Sequence, residues 1–162
     1  MLLAETQGSQ AVYQQLLAKA KAQLAGFDSF VSSQGGSSLL PNQTFCNDWG
    51  CYYNQRDSQW GGIPLNRTKY TLASDGCLVT SVAMVLTHYG KKVNPVDINS
   101  NPANFASYYP AYLLYSVSVN GFSADRVNTA IDAALSHQDP VIVGVRAYGG
   151  THFVVLTGGS SG

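Results

Sequence analysis

Charge is scarce in this chain. Charged residues make up 11% of its 162 positions, and they balance to a formal net charge of zero. Folded domains usually carry about a quarter. Without a basic excess there is no electrostatic footprint for nucleic acid or for an anionic membrane surface. Long apolar runs are lacking too, so no membrane span is expected. The N-terminus has no basic start followed by an apolar stretch, so no intact signal peptide is visible, although a trimmed chain would read the same way. No His/Cys/Asp cluster has ligand spacing and no glycine-rich loop follows a strand, so neither a metal, a cofactor nor a bound nucleotide is expected. The length suits one domain with its own core plus a small appendage.

Cysteine and histidine number three each. Cys46 and Cys51 sit close together in a Trp/Asn/Gly-rich stretch. Such a short loop can close a disulfide, and a pair plus one leftover thiol suits an exported protein with a reactive cysteine. The alternative is two reduced surface cysteines. Asn42-Gln43-Thr44 and Asn66-Arg67-Thr68 match the glycosylation pattern but are read as chance.

The chain divides into three stretches. Residues 1–31 hold an amphipathic helix over 9–25, capped by Ser9, with Val12, Leu16, Leu17, Ala20 and Leu24 as its stripe and Lys19 and Lys21 on the polar side. It is expected to contact a partner, to be the stub of a longer coiled coil, or to pack on the main domain. Residues 32–46 begin Ser/Gly/Gln-rich and read as a linker. Residues 47–162 are the main domain. There, residues 70–73 look extended and Ser74-Asp75-Gly76 turns into a buried helix, Cys77 to Tyr89, that Gly90 ends. An irregular Tyr/Asn/Pro-rich region follows to about Tyr115. A second helix is expected from Ala124 to His137, with Val127, Ile131, Ala134 and Leu135 inward and Pro140 ending it. Val141–Ala147 and His152–Thr157 alternate as a β-hairpin around Tyr148-Gly149-Gly150. The last residues are only Gly and Ser. Helices first and antiparallel strands last predict an α+β fold with a central helix on a small sheet.

Cysteine catalysis needs a thiolate, a base and donors for an oxyanion. Cys77 opens the buried helix, where the helix N-terminus is expected to lower its pKa. Gly76 leaves room for a substrate. The plain alternative is a small core residue. His88 lies on the same helix about 16 Å further along the axis and cannot reach Cys77. His137 is separated from the hairpin turn by a strand of about 20 Å. His152 starts the return strand and is the one candidate base.

The segments Tyr53-Asn54-Gln55-Arg56-Asp57, Trp60-Gly61, Gly76 to Leu86, Pro140 to Val145 and His152 to Gly158 occur in an order that resembles the papain-like cysteine peptidases of the bacteriocin-leader, or double-glycine, type (cysteine peptidase family thirty-nine). More closely they resemble its stand-alone bacterial relatives, which are not fused to a transporter. The resemblance covers roughly residues 52–158. It implies a papain-like fold with the cysteine on the central helix and the histidine on the sheet. It further implies Cys77 as nucleophile, His152 as general base and Gln55 as the oxyanion-hole side chain, with Gln59 as its backup. Gly76, Gly150 and Trp60 are expected along the substrate cleft, and Tyr108, Tyr109, Tyr112 and Tyr115 either wall it or pack as core, with packing favoured for at least two.

Two departures stand out. Gln55 lies much further ahead of Cys77 than in transporter-fused members, at the spacing the stand-alone relatives share. The family orients its histidine with an Asp or Asn on the following strand, and no such residue follows His152. Asp139 is the nearest acid. The expected activity is hydrolysis of peptide or cell-wall peptide amides, outside the cell or in its envelope. Two alternatives remain: an inactive papain-like relative that binds peptides, and an interaction module that works through its N-terminal helix.

Overall fold

The computed structural model describes residues 12, 14, 15, 18, 37–147 and 150–159. Of the expected N-terminal helix, Val12, Gln14, Gln15 and Ala18 are helical and exposed. Ser9, Leu16, Leu17, Lys19, Ala20, Lys21 and Leu24 lie outside the described residues, as do residues 32–36 of the expected linker, Tyr148-Gly149 and residues 160–162.

The described residues form a mixed α+β structure of short helices and two-stranded antiparallel sheets. The sheets are four hairpins: β1 (Phe45–Asn47) with β2 (Gly50–Tyr52), β3 (Phe105–Ala106) with β4 (Tyr109–Leu113), β5 (Ser116–Val119) with β6 (Phe122–Asp125), and β7 (Val141–Ala147) with β8 (Gly150–Leu156). The helices are α1 (Leu72–Asp75), α2 (Cys77–His88), α3 (Pro95–Asn99) and α4 (Ile131–Ser136). Helix α2 is central, packed against β8, β2 and α3.

Residues 71–74 close a capping box instead of extending as a strand. The Thr71 hydroxyl accepts from the Ser74 N–H, and the Ser74 hydroxyl accepts from the Thr71 N–H. This reciprocal pair satisfies two donors that a helix start otherwise leaves open. Helix α1 then runs directly into α2 through Gly76. A Cβ at Gly76 would stand 2.5 Å from the Leu72 carbonyl oxygen, so the glycine serves this tight junction rather than substrate access. Helix α3 starts the same way, with Asn94 and Asp97 as its capping box and Pro95 in its first turn.

The expected helix from Ala124 to His137 is replaced by β6, an extended segment and the short α4. Asn120-Gly121 turns β5 into β6 with φ of 50° and 82°, the left-handed pair that a two-residue hairpin turn requires. Ala124 is therefore paired with Val117 in a strand. Val127 is 78% exposed rather than inward, and Ile131 is exposed as well. The expected hairpin forms, with β8 starting at Gly150 rather than at His152 and with His152 opposite Val145.

The core gathers Trp60, Leu65, Leu72, Val79, Ala83, Leu86, Ile98, Phe105, Leu113 and Val117, among others. Trp60 is thus a core residue. Its indole N–H donates to the Asn54 carbonyl at 2.8 Å, and its ring meets Tyr53 edge-on. The four tyrosines neither pack as core nor wall the cleft: all are exposed, Tyr108 at 82%.

Candidate active site

One cavity of about 410 Å³ brings Gln55, Cys77 and His152 together. Four segments build it: the loop from Tyr53 to Arg56, Ser74 of α1, one face of α2, and β8. The α2 face is Cys77, Thr80, Ser81 and Met84, spaced by three, four and seven residues as one helical stripe requires. Cys77 was legible as a candidate from sequence. The other three were missed, although counting helical turns from Cys77 would have found them.

Cys77 is the free cysteine and is 7% exposed. Burial pushes its thiol above the ordinary value, and the nearby Asp75 charge adds to that. The nearby backbone of Phe153, Leu78 and Cys77 itself opposes the rise without cancelling it. The expected lowering by the helix N-terminus is therefore outweighed. The Phe153 contact sets the sulfur beside the strand position that follows His152.

His152 is half-buried on β8, and burial alone pulls its imidazole below 6.5. Both groups favour their neutral forms for the same reason: water is largely removed from around them. Among the described residues, none hydrogen-bonds the His152 ring. Asp139 does not serve it, because its carboxylate accepts from the Tyr89 hydroxyl at 2.8 Å beyond the C-terminus of α2. Tyr89 is raised by its burial and by this bond.

The Gln55 amide donates to the Ala73 carbonyl at 2.7 Å. A primary amide has two N–H donors, so a second remains for the cavity. Gln59 lies outside the cavity lining, and its amide turns to Asp57. Gly150 begins β8 two positions before His152.

The other histidines have structural partners. His88 Nδ1 meets the Trp49 carbonyl at 3.0 Å and its ring packs on Trp49. His137 Nδ1 meets the Ala133 carbonyl at 2.7 Å at the end of α4. Cys46 and Cys51 are joined in a disulfide that clips β1 to β2. That hairpin rests on the end of α2, where the Thr87 hydroxyl accepts from the Cys51 N–H. Gly50, at φ +139°, passes so close to α2 that a Cβ would stand 2.8 Å from the His88 nitrogen.

Sequence reasoning also missed two buried polar groups. Thr80 is 5% exposed, and its hydroxyl has no hydrogen-bond partner among the described residues. The Asp57 carboxylate has no exposure at all. Among the described residues, no group of acids, cysteines and histidines is placed to hold a metal ion, and no helix is long and apolar enough to cross a membrane.

No curated protein and no solved structure matches the chain. A family model does match, over residues 51–162, which takes in the whole cavity described above. The chain belongs to the Peptidase_C39 like family and carries a cysteine peptidase-like domain.

Proposed function

We propose that this domain is a papain-like cysteine peptidase of the stand-alone type, with Cys77 as nucleophile, His152 as general base and Gln55 as oxyanion donor. The observation that carries the reading is the convergence of these three residues, from separate segments, on one cavity. The proximity of the Cys77 sulfur to the Phe153 backbone, next to His152, supports it.

Because burial favours a neutral thiol and a neutral imidazole, the pair works by base catalysis at the moment of attack rather than as a standing ion pair. The Cys77 proton moves to His152 as sulfur bonds to the amide carbonyl carbon. The oxyanion is held by the Gln55 amide and by the Cys77 N–H at the helix start. As the carbon–nitrogen bond breaks, His152 returns the proton to the leaving amine. Water, deprotonated by His152, then releases the acyl group and restores the thiol.

The substrate is a peptide or a peptidoglycan peptide, and Gly150 beside His152 favours small residues next to the cleaved bond, in keeping with double-glycine cleavage. The Cys46–Cys51 disulfide supports an oxidising setting, outside the cell or in its envelope. Leu40, Gln43 and Thr44 bond to Arg56, Ser58 and Asp57, and Cys46 to Cys51, so the peptidase domain takes in residues from Leu40 onward rather than from Asn47, and the N-terminal segment 1–31 contacts a partner or extends a coiled coil.

That no residue among those described hydrogen-bonds the His152 ring favours a second reading, an inactive relative that binds peptide in the same cavity. Digestion of a mixed peptide library, read by mass spectrometry, separates the two. Cleavage by the wild-type chain that falls by at least ~10³-fold in Cys77→Ala supports the peptidase. Equal product from both chains refutes it, and peptide retention without cleavage supports the binding module.

A further inference from the structure

Asp57 is the buried ionisable group that the proposed chemistry leaves unused. Its carboxylate is fully buried, and its hydrogen-bond partners are all neutral. One oxygen accepts from the Gln59 N–H at 3.0 Å. The other accepts from the Gln43 N–H at 2.9 Å, the Thr44 hydroxyl at 3.0 Å and the Gln59 amide at 3.4 Å. A buried carboxylate without such donors is costly, and removing them leaves a stranded charge.

What this cluster holds is the turn that carries Gln55. The Asp57 N–H donates to the Asn54 carbonyl at 3.0 Å, closing residues 54–57 into a turn. The Asn54 side chain accepts from the Arg56 N–H, and the Asn54 carbonyl also receives the Trp60 indole N–H. The Asp57 carbonyl accepts from the Trp60 and Gly61 N–H groups. Leu40 bonds across this loop through the Arg56 carbonyl and the Ser58 N–H. Gln55 sits inside the closed turn, with its side chain on Ala73 and on the cavity.

We propose that Asp57 is a positioning residue for Gln55: its carboxylate gathers donors from residues 43, 44 and 59 and so locks the 54–57 turn that aims the Gln55 amide at Cys77. The inference rests on the peptidase reading for the role of Gln55, but not for its placement. A carboxylate is needed rather than an amide. Asparagine supplies a single acceptor oxygen, and its NH₂ would face the Gln43 N–H.

The test pairs a spectrum with kinetics. In an amide ¹⁵N–¹H spectrum, the Gln55 side-chain pair is assigned by its loss in Gln55→Ala. In Asp57→Asn that pair is expected to move toward the position of a free glutamine amide. With p-nitrophenyl acetate as the probe, kcat in Asp57→Asn is expected to fall roughly 10²-fold, about as far as in Gln55→Ala, with KM little changed. The double variant Asp57→Asn/Gln55→Ala is expected to be no slower than Gln55→Ala alone. An unmoved Gln55 pair overturns the proposal, as does a double variant that loses the product of the two single effects. If the wild-type chain shows no Cys77-dependent hydrolysis, the peptidase reading fails and the Gln55 signal alone decides the positioning. If Asp57→Asn does not fold, Thr44→Val removes one donor and decides the matter by the same shift, smaller in size.

Discussion

Burial and the helix dipole pull the Cys77 thiol in opposite directions. A helix N-terminus favours a thiolate by a few tenths to about 1 kcal/mol when exposed, but water removal around a residue only 7% exposed acts the other way and prevails. Position on a helix is visible in sequence; how deeply the sulfur sits is a property of packing, so the sign of the shift was not legible. The same burial keeps His152 neutral to a lower pH than a free histidine. Its charged form is disfavoured in the folded chain, so the acid limb of kcat/KM is expected below 6.5 and should vanish with His152→Ala. An acid limb above 6.5 would contradict the desolvated base. Asp57 behaves differently. Burial raises its carboxyl, but the donors from Gln59, Thr44 and Gln43 together hold it below its ordinary value. Its contribution to stability is complete above that ordinary value and is lost as pH falls through the lowered one. Thermal melts taken from neutral pH down through and below the ordinary aspartate range should therefore show Asp57→Asn losing less stability on acidification than wild type.

Short elements were legible where local chemistry decides them and illegible where two patterns compete. The hairpin over 141–156 was readable because β-branched residues alternate on both arms. The stretch after Asn120-Gly121 was misread because Val127, Ile131, Ala134 and Leu135 imitate a helical stripe. The Asn-Gly turn pairs residues up to Asp125 in a strand, which leaves only Ile131–Ser136 helical. The capping boxes at Thr71 and Asn94 were readable signals passed over, the first in a stretch read as extended and the second at the edge of one read as irregular. At this scale the β1–β2 hairpin matters most, because it leads directly into the Gln55 loop. Closing so short a loop by a disulfide stabilises the fold by about 2 kcal/mol in the chain-entropy picture. Cys46→Ser should lower the urea midpoint by an equivalent amount with the m-value unchanged. No change in midpoint would mean that the hairpin is held by Trp49, Tyr52 and His88 stacking instead.

At the scale of the whole molecule, the four hairpins and the short helices α1, α3 and α4 of the described residues are organised by the central helix α2. Its inner face (Val79, Ala83, Leu86) fills the core while its Cys77–Met84 stripe lines the cavity. The order of motifs along the chain was enough to anticipate the domain and the three converging residues. The full burial of Asp57, and of the Thr80 hydroxyl that has no partner among the described residues, was not legible, since packing between segments far apart in sequence creates it. Leu72 is fully buried directly below the α1–α2 junction. Leu72→Ala should cost about 2–5 kcal/mol by denaturant unfolding. Because the junction carries Cys77, it should also slow alkylation of that thiol little or not at all, as access would widen.

Acylation by p-nitrophenyl acetate, followed by intact-mass and peptide mapping, bypasses the unknown substrate sequence. A Cys77 nucleophile served by a His152 base predicts a burst of p-nitrophenol and an acetyl group on Cys77 that is then released. It predicts no burst in Cys77→Ala and, in His152→Ala, slow acylation with a persistent acetyl-enzyme. Acetylation at other residues only, or identical kinetics in the wild-type and Cys77→Ala chains, would contradict a catalytic Cys77.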